Sequence, residues 1–335
     1  MVYNICKIKL VAIICTCLVA TANIGQELRL DANFGFSDLL MVEKLDKPQG
    51  KLLELEKHLG LSLFRSNYGL VASKSIESAT LIASEWYRSY SLFKETFRKD
   101  AGPGIVIDNF KLSNEAQQTI QDLGIKWSLV WPMSFIFKSE LASQKIKKID
   151  DPNSHNNAIA HELGHLFLIN AFNWIGMPDG YGSPAPDWFD EAIAIYSENE
   201  FSTKRRREDF ALTDKYELSA LITMPHPGTN LNNDIADQVR DLRAKNSGNA
   251  MVAMKVESKD KKSQSEVSKF YANVRGFLDF LDASGEGDEI LRSLAIGFSK
   301  GESFESWLRT NHRRYSLEAD IANLEKEWKR FHSRN

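Results

Sequence analysis

Two histidines four residues apart flank a glutamate in the stretch Asn157-Ala158-Ile159-Ala160-His161-Glu162-Leu163-Gly164-His165-Leu166-Phe167. On a helix, positions i and i+4 share a face, so His161 and His165 can aim both imidazoles at one point. Neutral imidazole is a good zinc ligand. Glu162 lies about 100° around the helix from His161. That suits it to reach a water at the metal rather than the metal itself, as general base. The plain alternative is a helix with two surface histidines. The flanks argue against it, being apolar, uncharged and free of proline, so the helix is expected to be buried. Two buried histidines beside a glutamate are costly unless something satisfies them.

The elements around this motif can be read coarsely. An apolar helix is expected over residues 157–170, after a loop at Asp150 to Ser154. Residues 173–187 are rich in Gly and Pro and read as a loop, and Trp188 to Glu200 as a second helix. Upstream, Tyr68 to Ala72 reads as a strand and residues 75–99 as a helix, with apolar positions close to helical spacing. Ala101-Gly102-Pro103-Gly104 breaks the chain before a strand at Ile105 to Ile107. Asn114 to Asp122 reads as a helix. Lys126 to Lys138 reads as extended chain, with Pro132 favouring an edge strand or a bend. Residues 243–266 are polar and Lys/Ser-rich, a linker or long loop. From Val267 the pattern is helical to the end.

The stretch Trp188-Phe189-Asp190-Glu191-Ala192-Ile193-Ala194-Ile195-Tyr196-Ser197-Glu198 resembles the WxxEGxAxYxE segment on the second zinc helix of gluzincin peptidases. The resemblance implies that Glu191 is the third ligand. Glu198, seven residues on and on the same helical face, reads either as a partner for a ligating histidine or as a solvated helix charge. Asn170, five residues after His165, matches the Asn that follows HExxH in the aminopeptidase N and leukotriene hydrolase family. The segment FYANVRGFLDFL, together with Leu291 to Trp307 and Leu324 to Trp328, is similar to peptidase MA-like domain proteins, so the likeness runs over about residues 65–333. Diagnostic motifs sit only at 158–198. The chain departs from the aminopeptidase N pattern in three places. The 25 residues between His165 and Glu191 make a longer gap than is usual there, Ala192 stands where Gly is usual, and no GxMEN motif captures a free amine. The resemblance therefore implies the hydrolytic machinery but not aminopeptidase specificity.

The same resemblance implies a hydroxyl donor for the oxyanion. Tyr271 matches the Tyr of the family's FYAQS-like segment and is preferred. Tyr181, in the Gly-rich loop, is second. His226, in Met224-Pro225-His226-Pro227, is a weaker candidate that otherwise reads as an ordinary loop residue, and Tyr196 reads as a packing residue.

Composition sets the wider frame. The chain has 335 residues, 43% apolar and 26% charged, with a formal charge of −3. That gives no reason to expect nucleic acid or an anionic membrane as partner. Lys7 and Lys9 precede an apolar run from Leu10 to Ala20, and Ala20-Thr21-Ala22 offers a cleavage site, so residues 1–22 read as an export signal. The run is about half the roughly 20 residues needed to span a bilayer. Cys6, Cys15 and Cys17 all fall within residues 1–22, so any metal site in the mature chain must use His and carboxylates. Residues 51–74 resemble the end of the winged helix of LysR-type regulators, but the earlier part of that motif is missing and export contradicts DNA binding.

The expectation is an exported, periplasmic or secreted zinc metallopeptidase acting on peptide or protein substrates, without stable membrane insertion. It would hold one Zn2+ per chain on His161, His165 and Glu191, with Glu162 and Tyr271 catalytic. The fold expected is α+β, a zincin: a mixed sheet plus the HExxH helix, then a mainly helical C-terminal part. The boundaries expected are 23–64 unassigned, 65–242 catalytic core, 243–266 linker and 267–335 helical. Two rivals are an exported non-enzymatic binding protein on the same scaffold and a zinc hydrolase of a non-peptide bond.

Overall fold

A strand whose every residue is buried needs cover on both faces, and Gly69–Ser73 is such a strand. The computed structural model of the protein describes residues 41–132, 158–174, 185–230, 250–252, 261–283 and 285–333. The export segment, Tyr181, residues 133–138 of the expected edge strand and most of the 243–266 stretch lie outside the described residues.

Six strands form one sheet in chain order: β1 (Val42–Lys44), β2 (Ser62–Ser66), β3 (Gly69–Ser73), β4 (Gly104–Ile107), β5 (Trp127–Val130) and β6 (Ala250–Val252). β1, β2 and β3 pair antiparallel, with Phe64 opposite Val71. β3 to β6 run parallel, with Leu70 opposite Ile105, Ile105 opposite Ser128 and Leu129 opposite Met251. Alternation sends successive side chains to opposite faces. Leu63, Leu70, Ile105, Ile107 and Val130 meet α1 (Lys51–Leu59) and α3 (Asn114–Asp122) on one face. Phe64, Val71, Val106 and Leu129 meet α2 (Ile76–Phe97) on the other, within the larger core that also takes in the motif helices.

The motif helix is α4 (Ile159–Ala171), followed by α5 (Asp187–Tyr196), α6 (Glu200–Leu212) and the short α7 (Leu218–Leu221). The C-terminal part is α8 (Lys261–Asp282), α9 (Gly287–Ser299), α10 (Phe304–Asn311) and α11 (Ile321–His332). The architecture is α+β, a small mixed sheet with a mostly helical remainder. Among the described residues no helix is long and apolar enough to cross a membrane.

Several sequence expectations need correction. β5 is paired on both sides, to β4 and β6, so Trp127–Val130 is an internal strand and not an edge. β6 arises within the polar stretch read as a linker. β2 straddles the boundary expected between residues 64 and 65, and residues 42–66 contribute β1, α1 and β2. The segment resembling a DNA-binding wing is α1 followed by the β2–β3 hairpin, two strands of the central sheet. The single helix expected over 188–200 is two helices. α5 stops at Tyr196, and Asn199 restarts the chain as the cap of α6, its side chain accepting from the Ser202 N–H at 2.9 Å.

Candidate metal centre

Two separate anchors place the motif helices. Phe167 of α4 is fully buried against Tyr90 and Phe93 of α2 and Trp127 of β5, at ring separations of 4.8, 5.5 and 5.9 Å. Trp188 and Phe189, in the first turn of α5, pack instead on Phe277 of α8 and on Phe298 and Phe304 of α9 and α10. One ligand pair thus hangs on the sheet layer and the third ligand on the C-terminal helices.

The helices then meet closely. A Cβ on Gly164 would stand 2.8 Å from Ala194 Cα and 2.8 Å from Ser197 Oγ. Only glycine lets the backbones of α4 and α5 approach this far. Arg88 of α2 closes the far end of α5, donating to the Ser197 carbonyl at 2.8 Å and the Glu198 carbonyl at 3.0 Å. A cation there also suits the negative end of the helix.

This packing brings His161, His165 and Glu191 together. All three are buried, Glu191 with no exposed surface, and one ligand atom from each lies within 4.8 Å of the others. His161 Nε2 and His165 Nε2 are 3.1 and 3.8 Å from Glu191 Oε2. Ligand atoms about 2.0–2.1 Å from a tetrahedral ion stand about 3.4 Å apart, so these separations bracket the value a bound ion would set. Neither Glu191 oxygen has an aligned hydrogen-bond donor among the described residues. A buried carboxylate so placed costs several kcal/mol unless a cation meets it. Two imidazoles and a carboxylate are donors suited to a divalent transition ion. The group could hold a metal ion.

The outward nitrogens of both imidazoles face carboxylates. His161 Nδ1 is 3.0 Å from Glu198 Oε1, which leaves Nε2 for the metal. Glu198 also receives both arms of Arg206, at 2.7 and 3.2 Å. His165 Nδ1 is 3.2 Å from Asp190 Oδ1, a close ion pair without the alignment of a full hydrogen bond. Burial works against the charged imidazoles, but the carboxylates outweigh it. Glu191 and Glu198 push His161 up to about 10, and Asp190 and Glu191 push His165 up to about 9. Against their own burial, Glu191 is held down at about 2 by His165 and His161, and Glu198 at about 2 by His161 and Arg206.

Glu162 follows His161 on α4 and is half-buried. Burial raises its carboxyl above the usual range, with His161 and His165 acting in the opposite direction. Tyr271 of α8 lies beside the histidines, its ring 5.6 Å from that of His161.

His226 is the residue the sequence reading undervalued. Its backbone N–H donates to Asp187 Oδ2 at 2.6 Å, which ties the loop to the first turn of α5. Gly228 N–H donates to His226 Nδ1 at 3.0 Å, so the proton of the neutral ring sits on Nε2. That nitrogen is 3.2 Å from the Tyr271 hydroxyl and 3.5 Å from Glu191 Oε1. Burial keeps the ring's pKa down, although Glu191 and Asp187 raise it. The only signal in the sequence is the pair of prolines on either side of His226, which stiffens the loop.

Other candidates are not brought in. Asn170 turns its amide back to the Leu166 carbonyl at 2.8 Å. Tyr196 bonds Asp288 at 2.5 Å and Thr96 at 3.0 Å, away from the ligands. Glu198, expected on the helical face of Glu191, stands in the break between α5 and α6 yet still reaches His161.

Comparison with known proteins finds no matching family model, and no curated protein or solved structure matches significantly.

Proposed function

We propose that the chain is an exported zinc metallopeptidase of the gluzincin type on a zincin fold, hydrolysing peptide bonds. The observation that carries the reading is the meeting of His161, His165 and the fully buried carboxylate of Glu191 at one point, with Glu162 and Tyr271 beside it. Zinc, if bound by those three residues, would supply Lewis acidity to a water and to the scissile carbonyl.

The chain's own residues supply the rest. Glu162 takes the proton of the attacking water and returns it to the leaving amine. Tyr271 donates its hydroxyl hydrogen to the carbonyl oxygen as that oxygen gains charge. Neutral His226 donates through Nε2–H to the Tyr271 oxygen and so turns the tyrosine's own hydrogen toward the cleft. Glu198 and Asp190 hold the imidazoles in the tautomer a metal needs.

A peptide-library digest, with and without a chelator, tests the activity. Glu162→Gln should keep its metal and lose hydrolysis by orders of magnitude, because an amide cannot accept the proton. Cleavage at the wild-type rate in that variant would place the base elsewhere. A metal-loaded wild type that cleaves no peptide would remove the peptidase reading.

A further inference from the structure

We infer that Arg206 is a positioning residue that ties the metal ligand His161 to the hydroxyl donor Tyr271. The inference rests on the proposed metal site and adds to it a residue that touches neither metal nor substrate.

Arg206 sits on α6, eight residues after Glu198 in the α5–α6 break, and Tyr271 sits on α8. Its Nη2 and Nε donate to Glu198 Oε1 and Oε2 at 2.7 and 3.2 Å, the two-armed contact that a planar guanidinium makes with a carboxylate. Glu198 Oε1 is the same atom that faces His161 Nδ1 at 3.0 Å. The guanidinium also lies 4.6 Å from the centre of the Tyr271 ring. One rigid plane therefore fixes the carboxylate that orients a ligand and the ring that carries the donor. Glu198 is 6% exposed, so its charge needs an answer in the protein, and Arg206 supplies it at both oxygens. Lysine in its place could offer a charge but neither the two-armed bond nor the flat face.

The test uses zinc affinity, measured by competition with a chromophoric chelator, and the visible spectrum of the cobalt-loaded protein. Outer partners of ligating histidines typically change metal affinity about 10–100-fold. Arg206→Gln and Arg206→Lys should each lose about tenfold, the low end of that range because they act through Glu198. Both should alter the cobalt spectrum. Arg206→Gln combined with Glu198→Gln should bind no more weakly than Glu198→Gln alone. Wild-type affinity and spectrum in Arg206→Lys would reduce Arg206 to a simple charge and overturn the inference, as would losses that add in the double variant. The tie to Tyr271 is read in the metal-free protein, where the melting-temperature losses of Arg206→Gln and Tyr271→Leu should sum to more than that of the double variant. Strict additivity would overturn that arm. A wild type that binds neither zinc nor cobalt would instead overturn the proposed function, and the ligand-positioning role with it, while the melts would still decide the tie.

Discussion

Glu191 sets the chemistry at the scale of single residues. Its carboxylate has no exposed surface and, among the described residues, no aligned donor, and the imidazoles of His161 and His165 face one of its oxygens. Without a metal, that arrangement holds together by keeping His161 and His165 protonated. The sign of the pH dependence follows. Groups raised from 6.5 to about 10 and 9 stabilise the metal-free protein fully below pH 6.5, and that stability is lost as pH rises through 9 and 10. Glu191, held at about 2, stabilises above pH 4.5 and loses its contribution as pH falls toward 2. The melting temperature of metal-free protein should therefore fall between pH 6.5 and 10, and a flat profile would contradict the pairing. By the same reasoning, metal binding at pH 7 should release about two protons, measurable by calorimetry in buffers of different ionisation enthalpy. Tyr271→Phe should lower kcat by about 10²–10³ with metal content unchanged; an unaltered kcat would remove Tyr271 from the reaction.

At the scale of elements, the approach of α4 to α5 decides whether three ligands can meet. Gly164→Val would force side-chain atoms into the space of Ala194 and Ser197, and overpacking of this kind typically costs about 1–3 kcal/mol. It should lower both the melting temperature and the zinc affinity, read by thermal denaturation and chelator competition. Full affinity in a folded Gly164→Val protein would show that the close approach is dispensable. The elements also separate what was legible in the sequence from what was not. α3 falls at Asn114–Asp122 as expected, because Ser113 caps it and its side chain accepts from Ala116 N–H at 3.2 Å. The ligand helices were legible from spacing and motif. The break after Tyr196 was not, since Ser197 to Glu200 include no proline or glycine to stop a helix, and the Asn199 cap that marks the restart is a local hydrogen bond. β6 was hidden because three residues in a polar stretch carry no periodicity. The internal place of β5 follows from that strand, and so was hidden with it. His226 lies about 60 residues from the HExxH motif, and what brings it back is one backbone bond to Asp187, which no local pattern encodes.

At the scale of the whole molecule, the two sides of the site belong to different parts of the core. α4 rests on α2 and β5 through Phe167, while α5 rests on α8, α9 and α10 through Trp188 and Phe189. α6 and α8 add Arg206 and Tyr271. The helical C-terminal part is thus a wall of the site as well as a cover for the core. The account stands on the claim that these parts converge to hold one metal ion. The most direct measurement is the zinc content of purified wild-type, His161→Ala and Glu191→Ala proteins by elemental mass spectrometry, with folding checked by circular dichroism. The account predicts one zinc per chain in the wild type and loss of most of it in each folded variant. Full zinc in the Glu191→Ala protein, or none in the wild type after exposure to excess zinc, would contradict it.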